Sequence, residues 1–480
     1  MATYPAGLPI GDEWVPVSTY ADVVFPYDGS VVGQAPIGSK ELASKAVDIA
    51  VDTRAAMAAL PSHVRVTALR LAHQKFLAHQ DEIEQLLVLE TGKPLVDCKV
   101  ETARSALTLA TAAEEVARLH GETVPLDVIP AGEGLIGFWT RKPIGVVVGI
   151  TGFNYPVLLA CHKLAPAVAA GCPVVVKPPP QAPLATLWLV HLMREALVEA
   201  GGPAAGIQLV TGGVDVGEAL TTDPRIGMVS FTGSAAVGHH IARAAAPRKV
   251  VLELGSNAAL VVAADADLDA AADAAVRGGF YANGQACISV QRVLVEQPVA
   301  DEFASKVVDA LGRVVVGDPR SIDTRVAPLI DAGSTERVQA WVDAAVSAGA
   351  KVLGGGSTDE RTVLPTVLTD VPQDADVWCE EVFGPVVSLR AVPDLQTAYD
   401  QVNDSRYGLH CAVYTSSLET AFTAIDAIEA GGVVVNEVPG FRSDIAPYGG
   451  VKDSGIGREG PRFAIEEMTV TRMATIRPKP

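Results

Sequence analysis

Apolar and polar positions along the chain fall into distinct regimes. Over residues 39–120, Leu, Ala, Val and Ile recur with a helical period. Breaks are expected at Pro61 and at Gly92-Lys93-Pro94, so this part reads as successive helices. From residue 145 the pattern changes to continuous β-branched runs at 145–150, 173–177, 206–210, 226–231 and 250–254, with helical runs at 157–170 and 185–200 between them. A continuous apolar run, unlike an alternating one, suits a strand buried on both faces. The alternation therefore predicts a parallel sheet covered by helices on both sides, a doubly wound α/β domain. From Asn257 to about Gly450 a second α/β region is expected, with strands near Val290, Val386, Ala412 and Val433. Residues 1–35 and 122–139 read as short extended pieces punctuated by Pro and Gly. The tail, 469–477, alternates as an edge strand that needs a neighbour, in this chain or in another subunit. No internal repeat or low-complexity linker is present.

Length and composition narrow the class. A chain of 480 residues is too long for one core and suggests two or three domains. With 49% hydrophobic and 19% charged residues it has the make-up of a soluble globular protein. A formal charge of −19 argues against nucleic-acid binding, which needs clustered Lys and Arg. No basic segment followed by an apolar run opens the chain, so no secretory signal is expected. The apolar stretches are cut by Gly or Pro before they could span a bilayer. Six cysteines (98, 161, 172, 287, 379 and 411) form no CxxC and no cluster, which fits a reducing cytoplasm. Nine histidines show no HExxH, and His239-His240 reads as a solvated helix surface, so no metal is expected.

In open α/β sheets ligands sit beyond the carboxyl ends of the strands. After Ile150 comes Thr151-Gly152-Phe153-Asn154-Tyr155-Pro156, whose amide is either a turn former or a fixed donor. Lys177 precedes three prolines, and Thr232-Gly233-Ser234 opens a helix whose free N–H groups suit a phosphate, although Ser is also an ordinary N-cap. Glu253 is a carboxylate in an apolar strand, costly unless paired or functional. Cys287 follows a helical run, 267–280, that breaks at Gly284, and it precedes the run 290–295. A free cysteine is usually a small buried hydrophobe, yet a helix-to-strand junction can also hold a thiol toward a pocket. The spacing GxGxxG occurs at 132–137 and 455–460, but neither follows a continuous β-branched run as the dinucleotide-binding motif does, and P-loop and GxSxG motifs are missing.

Jointly these segments resemble the aldehyde dehydrogenase superfamily over nearly the whole length. The matching motifs are Phe153-Asn154-Tyr155-Pro156, Lys177-Pro178, Phe231-Thr232-Gly233-Ser234, Leu252-Glu253-Leu254-Gly255, Gly284-Gln285-Ala286-Cys287 with Arg292, and Glu381-Val382-Phe383-Gly384-Pro385. Glu253 follows Asn154 by 99 residues and Cys287 follows Glu253 by 34, spacings that also fit the family. The resemblance implies a Rossmann-like dinucleotide-binding domain (1–123 and 143–252), a catalytic domain (253–450), and a β oligomerisation element (124–142 and 451–480) that joins subunits as dimer or tetramer. Cys287 becomes the nucleophile toward an aldehyde, Asn154 an oxyanion donor, and Glu253 the base that hydrolyses the thioester to a free acid. Thr151, Lys177, Gly233, Ser234, Glu381 and Phe383 become the contacts of NAD or NADP. NAD-preferring members often carry a glutamate three residues after the lysine. Pro180 stands there instead, so no carboxylate at that position repels the 2′-phosphate of NADP.

The stretches 254–258, 287–292, 441–444 and 448–452 resemble the branch of lactaldehyde and phosphonoacetaldehyde dehydrogenases. That likeness implies a small polar, α-hydroxy or anionic aldehyde, with Arg104, His162, Arg292 and Arg442 as candidates to hold it; a hydrophobic aldehyde is the alternative. The rival classes are a cysteine acyl-hydrolase without redox chemistry and a non-catalytic structural protein on the same fold. The latter would have no use for Asn154, Glu253 and Cys287 together.

Overall fold

The computed structural model describes residues Tyr4–Pro478. The continuous β-branched runs form a six-stranded sheet in the order Gly455–Ile456, Lys249–Glu253, Ile226–Thr232, Val146–Ile150, Val174–Lys177, Ile207–Leu209. Its five main strands are parallel, and Val146, Val147, Val148, Val174, Val175 and Val176 are fully buried. Helices Pro156–Ala170 and Leu184–Glu199 cover it, as their apolar runs predict. The first of these has Pro156 in its opening turn, where a missing N–H is harmless, and Gly171 at φ +80° closes it.

The second sheet has seven strands, in the order Lys351–Gly354, Thr366–Thr369, Val386–Val392, Arg292–Glu296, Ala259–Val262, His410–Tyr414, Gly432–Val435. Only its Lys351–Gly354 edge is antiparallel. Period-two geometry divides its core into two layers. Ala259, Val261 and Leu294 pack with Val338 and Trp378, while Leu260, Val262 and Val293 pack with Phe280 and Phe303 on the other face. Ala259–Val262, Lys351–Gly354 and Thr366–Thr369 are strands the sequence pattern did not single out.

The helical region resolves into Lys40–Ala59, Ser62–Ala78, Gln80–Thr91 and Leu95–Glu115. Breaks occur at Pro61 and at Gly92-Lys93-Pro94 as expected, but His79 adds one that neither Gly nor Pro announces. The expected break at Gly284 begins earlier. The helix Leu268–Phe280 ends at Tyr281, and Ala282 and Asn283 are already left-handed at φ +49° and +61°.

The alternating tail finds its neighbour within this chain. Thr469–Ile476 pairs antiparallel with Ile136–Pro143 over eight residues, and Glu122–Val124 pairs on the other side. The segment after 450 is not confined to this ribbon. Gly455–Ile456 joins the first sheet, and helix Pro461–Glu467 packs on helix Pro156–Ala170.

Candidate active site

The thiol is delivered by a strained turn. Ala282, Asn283 and Gly284 stand consecutively at positive φ, and each non-glycine residue so held costs on the order of 1 kcal/mol. Their surroundings enforce the shape. The Asp97 carboxylate accepts the Ala282 N–H at 2.9 Å, and the Asn283 amide donates to the carbonyls of Gly92 and Pro328 at 3.2 and 3.0 Å. A side chain at Gly284 would strike the Gly384 backbone at 2.3 Å. Cys287 thereby reaches the edge of a cavity of about 830 Å³ between the two sheets.

The walls of that cavity collect the loop residues singled out from the sequence. Thr151, Asn154, Lys177, Gly233, Ser234, Glu253, Cys287, Glu381 and Phe383 all line it. The Asn154 amide donates to the Gln285 carbonyl at 2.8 Å, two residues before the thiol, and so is anchored to the cysteine loop. Glu253 ends its strand with both carboxylate oxygens buried and unpartnered. An amide placed this way can stabilise an oxyanion on a carbonyl attacked by Cys287. Asn154→Ala is expected to cost about 10²–10³ in kcat with little change in dinucleotide affinity, checked by steady-state kinetics and a binding titration.

One end of the cleft fits a nucleotide. Thr151 Oγ1 is buried with no partner, and Ser234 caps helix Ala235–Ala245 without using its hydroxyl on the first turn. Any side chain at Gly233 would collide with the Phe231 ring at 2.5 Å, so the turn stays open above the helix N-terminus. Burial lowers Lys177 to about 8, countered in part by Asp215, and its ammonium touches only the Pro178 carbonyl, at 3.3 Å. Pro179 and Pro180 line the wall beside it. Glu381 accepts the Ser256 N–H at 3.0 Å and is raised by burial to about 7. Phe383, at φ +49°, meets Phe153 edge-on.

Around the thiol the structure adds Tyr448, to which sequence reading gave no role. The Tyr448 hydroxyl lies 3.4 Å from Cys287 Sγ, and the Arg442 guanidinium stacks 3.8 Å from the centre of the Tyr448 ring. Tyr448 is buried beside Gly449 and Gly450, and an aromatic residue set between a proline and two glycines was the available signal. Burial pushes the Cys287 thiol up to about 12; the Tyr448 bond opposes this, while Glu381 and Glu253 add to it.

Two carboxyls near one another divide the charge. Burial would raise Glu459, but Lys163, His162 and Arg442 outweigh that and hold it well below the usual range. Lys163 donates to Glu459 at 3.0 Å and to Thr232 at 2.7 Å. Burial, reinforced by the Glu459 charge, raises Glu253 far above the ordinary carboxyl value, and Arg442 and Lys163 only partly oppose it. Of the two carboxyls, Glu253 is the one whose neutral form its surroundings favour.

The four candidates for holding a substrate separate. Arg104 makes a two-pronged pair with Asp444, at 2.9 and 2.8 Å. His162 sits between Asp444 and Glu459, at 3.4 and 3.1 Å. Arg442 is buried 3.5 Å from Asp444 and 3.8 Å from Glu459, with Nε and one terminal nitrogen lacking a hydrogen-bond partner. These three lie on one network beside Tyr448. Arg292 does not join them, a correction to the sequence reading: its guanidinium donates to the carbonyls of Asn257, Gln401 and Val402. It ties the loop at Asn257 to the end of helix Leu395–Asn403.

Comparison with known proteins agrees with this geometry. The model of the aldehyde dehydrogenase family matches residues 14–474. The chain is 40% identical to the 3-sulfolactaldehyde dehydrogenase of Priestia aryabhattai, covering 98% of both, and 34% identical to the lactaldehyde dehydrogenase of Methanococcus aeolicus, covering 98% and 100%. The crystal structure of the NADP-dependent glyceraldehyde-3-phosphate dehydrogenase from Bacillus halodurans, complexed with NADP, superposes with a TM-score of 0.94 at 34% identity, over 99% of each chain. With thiol, amide and carboxyl on one cleft and the match running from end to end, the chain belongs to the aldehyde dehydrogenase family.

Proposed function

We propose that this enzyme oxidises a small aldehyde bearing an anionic or α-hydroxyl group to the free carboxylic acid, with NAD⁺ or NADP⁺ as acceptor. The observation that carries the substrate class is Arg442, whose buried guanidinium keeps unused donors next to Tyr448 and the thiol. A substrate carboxylate, phosphonate or sulfonate would complete its bonding, with His162 and Arg104 as neighbours. The names of the sulfolactaldehyde and lactaldehyde dehydrogenases it resembles support the same class.

Thr151, Lys177, Gly233, Ser234, Glu381 and Phe383 would hold the dinucleotide, which when bound supplies a hydride acceptor. Pro180 leaves no carboxylate at that position to repel a 2′-phosphate, which supports use of NADP⁺. Cys287 Sγ attacks the carbonyl carbon as its thiol proton leaves to solvent in the cleft. The oxyanion of the thiohemiacetal lies against the Asn154 amide and the Cys287 N–H. Loss of hydride leaves a thioester on Cys287. Glu253 in its ionised form removes a proton from water, whose oxygen adds to the thioester carbon as the thiolate leaves. Because Glu253 is present, water rather than a second thiol takes the acyl group.

We also infer a cytoplasmic homo-oligomer. All six cysteines are unpaired, and Ile136, Val470, Met473 and Ile476 expose apolar surface along the ribbon. Among the described residues no helix is long and apolar enough to cross a membrane.

The test is a panel of aldehydes assayed with each dinucleotide, in wild type and Arg442→Leu. Loss of a charge-assisted bond should lower kcat/KM for the anionic aldehyde about 10–150-fold and leave neutral aldehydes nearly unchanged. A uniform loss over the panel, or a best substrate that is a long alkanal, would sink the anionic reading.

A further inference from the structure

Behind the catalytic loops, on the side away from the cavity, lies the junction between helix Gln80–Thr91 and helix Leu95–Glu115. Three charged residues are buried there: Lys93 is 2% exposed, Asp97 9% and Glu101 0%. All three direct their charge to the loops that carry Asn154 and Cys287. Lys93 Nζ pairs with Glu101, donates to the main-chain carbonyl of Asn154 at 2.7 Å and lies 3.8 Å from the centre of the Tyr155 ring. The other Glu101 oxygen accepts the N–H groups of Val157 and Leu158, at 2.9 and 3.1 Å, and so caps the helix that Asn154 precedes. One turn earlier, Asp97 accepts the N–H of Ala282 in the strained approach to Cys287.

Stability alone does not account for this arrangement. A buried ion pair loses its hydration and is often no better for folding than an apolar pair of the same volume. What the charges do accomplish is geometric. Fixing the carbonyl of Asn154 fixes the plane of the peptide that follows it, and hence the direction in which the Asn154 side chain leaves the backbone. The same helix end fixes the cysteine loop, and the Asn154 amide bonds across to Gln285 in that loop.

We propose that Lys93, clamped by Glu101, is a positioning residue that sets the Asn154 amide over the carbonyl attacked by Cys287. This rests on the catalytic roles given above to Asn154 and Cys287. Lys93 touches no reacting atom; it acts through the backbone of Asn154, where a shift of about 1 Å can cost about 100-fold in rate.

The experiment compares wild type, Lys93→Met and the double variant Lys93→Met/Glu101→Gln, each with and without Asn154→Ala. Lys93→Met leaves a buried carboxylate uncompensated and should lower Tm. The double variant removes that charge and keeps a side-chain oxygen for the helix cap, so Tm should recover. In both, kcat and the burst rate constant for reduced dinucleotide should fall about 10–100-fold with dinucleotide KM unchanged. In the Asn154→Ala background the clamp variants should cause no further loss, because the group they position is gone. A double variant with recovered Tm and kcat within about twofold of wild type would overturn the proposal, as would full additivity with Asn154→Ala. If the methionine variants do not fold, Lys93→Arg decides. It keeps the charge against Glu101, but its planar fork meets the Asn154 oxygen differently. Reduced kcat, non-additive with Asn154→Ala, then supports the proposal, and wild-type kcat or additivity overturns it. Wild type that reduces neither dinucleotide with any aldehyde would instead refute the catalytic reading itself.

Discussion

Replacing Cys287 with alanine is expected to remove aldehyde-dependent reduction of the dinucleotide, by about four orders of magnitude or more in kcat, with dinucleotide affinity within about twofold of wild type. The size of the effect follows from the absence of a substitute. Cys98, Cys161, Cys172 and Cys411 are buried elsewhere in the fold, and Cys379 bonds to carbonyls of its own turn. Asn154 and Glu253 can polarise a carbonyl or take a proton, but neither can carry the acyl group in their place. Dinucleotide binding should survive because Lys177, Gly233 and Ser234 come from the first sheet and its loops, untouched by a change at the thiol. The measurement is reduced-dinucleotide absorbance under substrate saturation, paired with a binding titration. Activity above one-hundredth of wild type would exclude Cys287 as nucleophile. Ester cleavage that persists in Cys287→Ser, with no dinucleotide reduction in wild type, would point to the acyl-hydrolase alternative.

Glu253→Gln should divide the reaction in time. Acylation can proceed with another proton acceptor, so a burst near one equivalent of reduced dinucleotide per site is expected. Steady-state turnover should fall about 10²–10⁴-fold because water lacks its base. The pH dependence has a definite sign. Burial and the neighbouring Glu459 charge raise the Glu253 carboxyl, so the neutral acid persists well above the pH at which an exposed carboxyl ionises. Only the ionised form accepts a proton from water. Wild-type turnover should therefore rise with pH through that raised value and fall below it, and the rising limb should vanish in Glu253→Gln. Equal loss of burst and turnover would remove Glu253 from deacylation, and an unchanged pH limb would assign it to another group.

What the sequence revealed, and what it hid, follows from the reach of each interaction. The strand at Val146–Ile150 was legible because burial on both faces demands an unbroken β-branched run, which any short window displays. Asn154, Glu253 and Cys287 could be singled out because each lies in a local motif at or next to the end of such a strand or helix. Tyr448 was quoted within a motif but given no role, since its contact with Cys287 joins positions 161 residues apart. Arg292 misled for the converse reason: an arginine five residues past the thiol lies near it in sequence, yet the strand it begins carries its guanidinium to carbonyls at 257, 401 and 402. The break at His79 and the small strand Gly455–Ile456 leave almost no compositional trace, because tertiary packing rather than local preference decides them.

The bond between Lys163 and Glu459 spans 296 residues, and that separation has a meaning for synthesis. A ribosome delivers the first sheet and its helices, Lys163 among them, long before the carboxylate that neutralises the lysine. Until residue 459 emerges, a nascent chain that closes this core must bury an ammonium with only Thr232 to receive it. The Thr469–Ile476 strand, which completes the ribbon on Ile136–Pro143, comes later still. The half built on the first sheet should therefore stay loosely closed until the last stretch arrives and locks it. Its catalytic cleft matures only as translation nears its end, and a fragment stopping short of Glu459 should behave as a client of chaperones rather than as a free-standing domain.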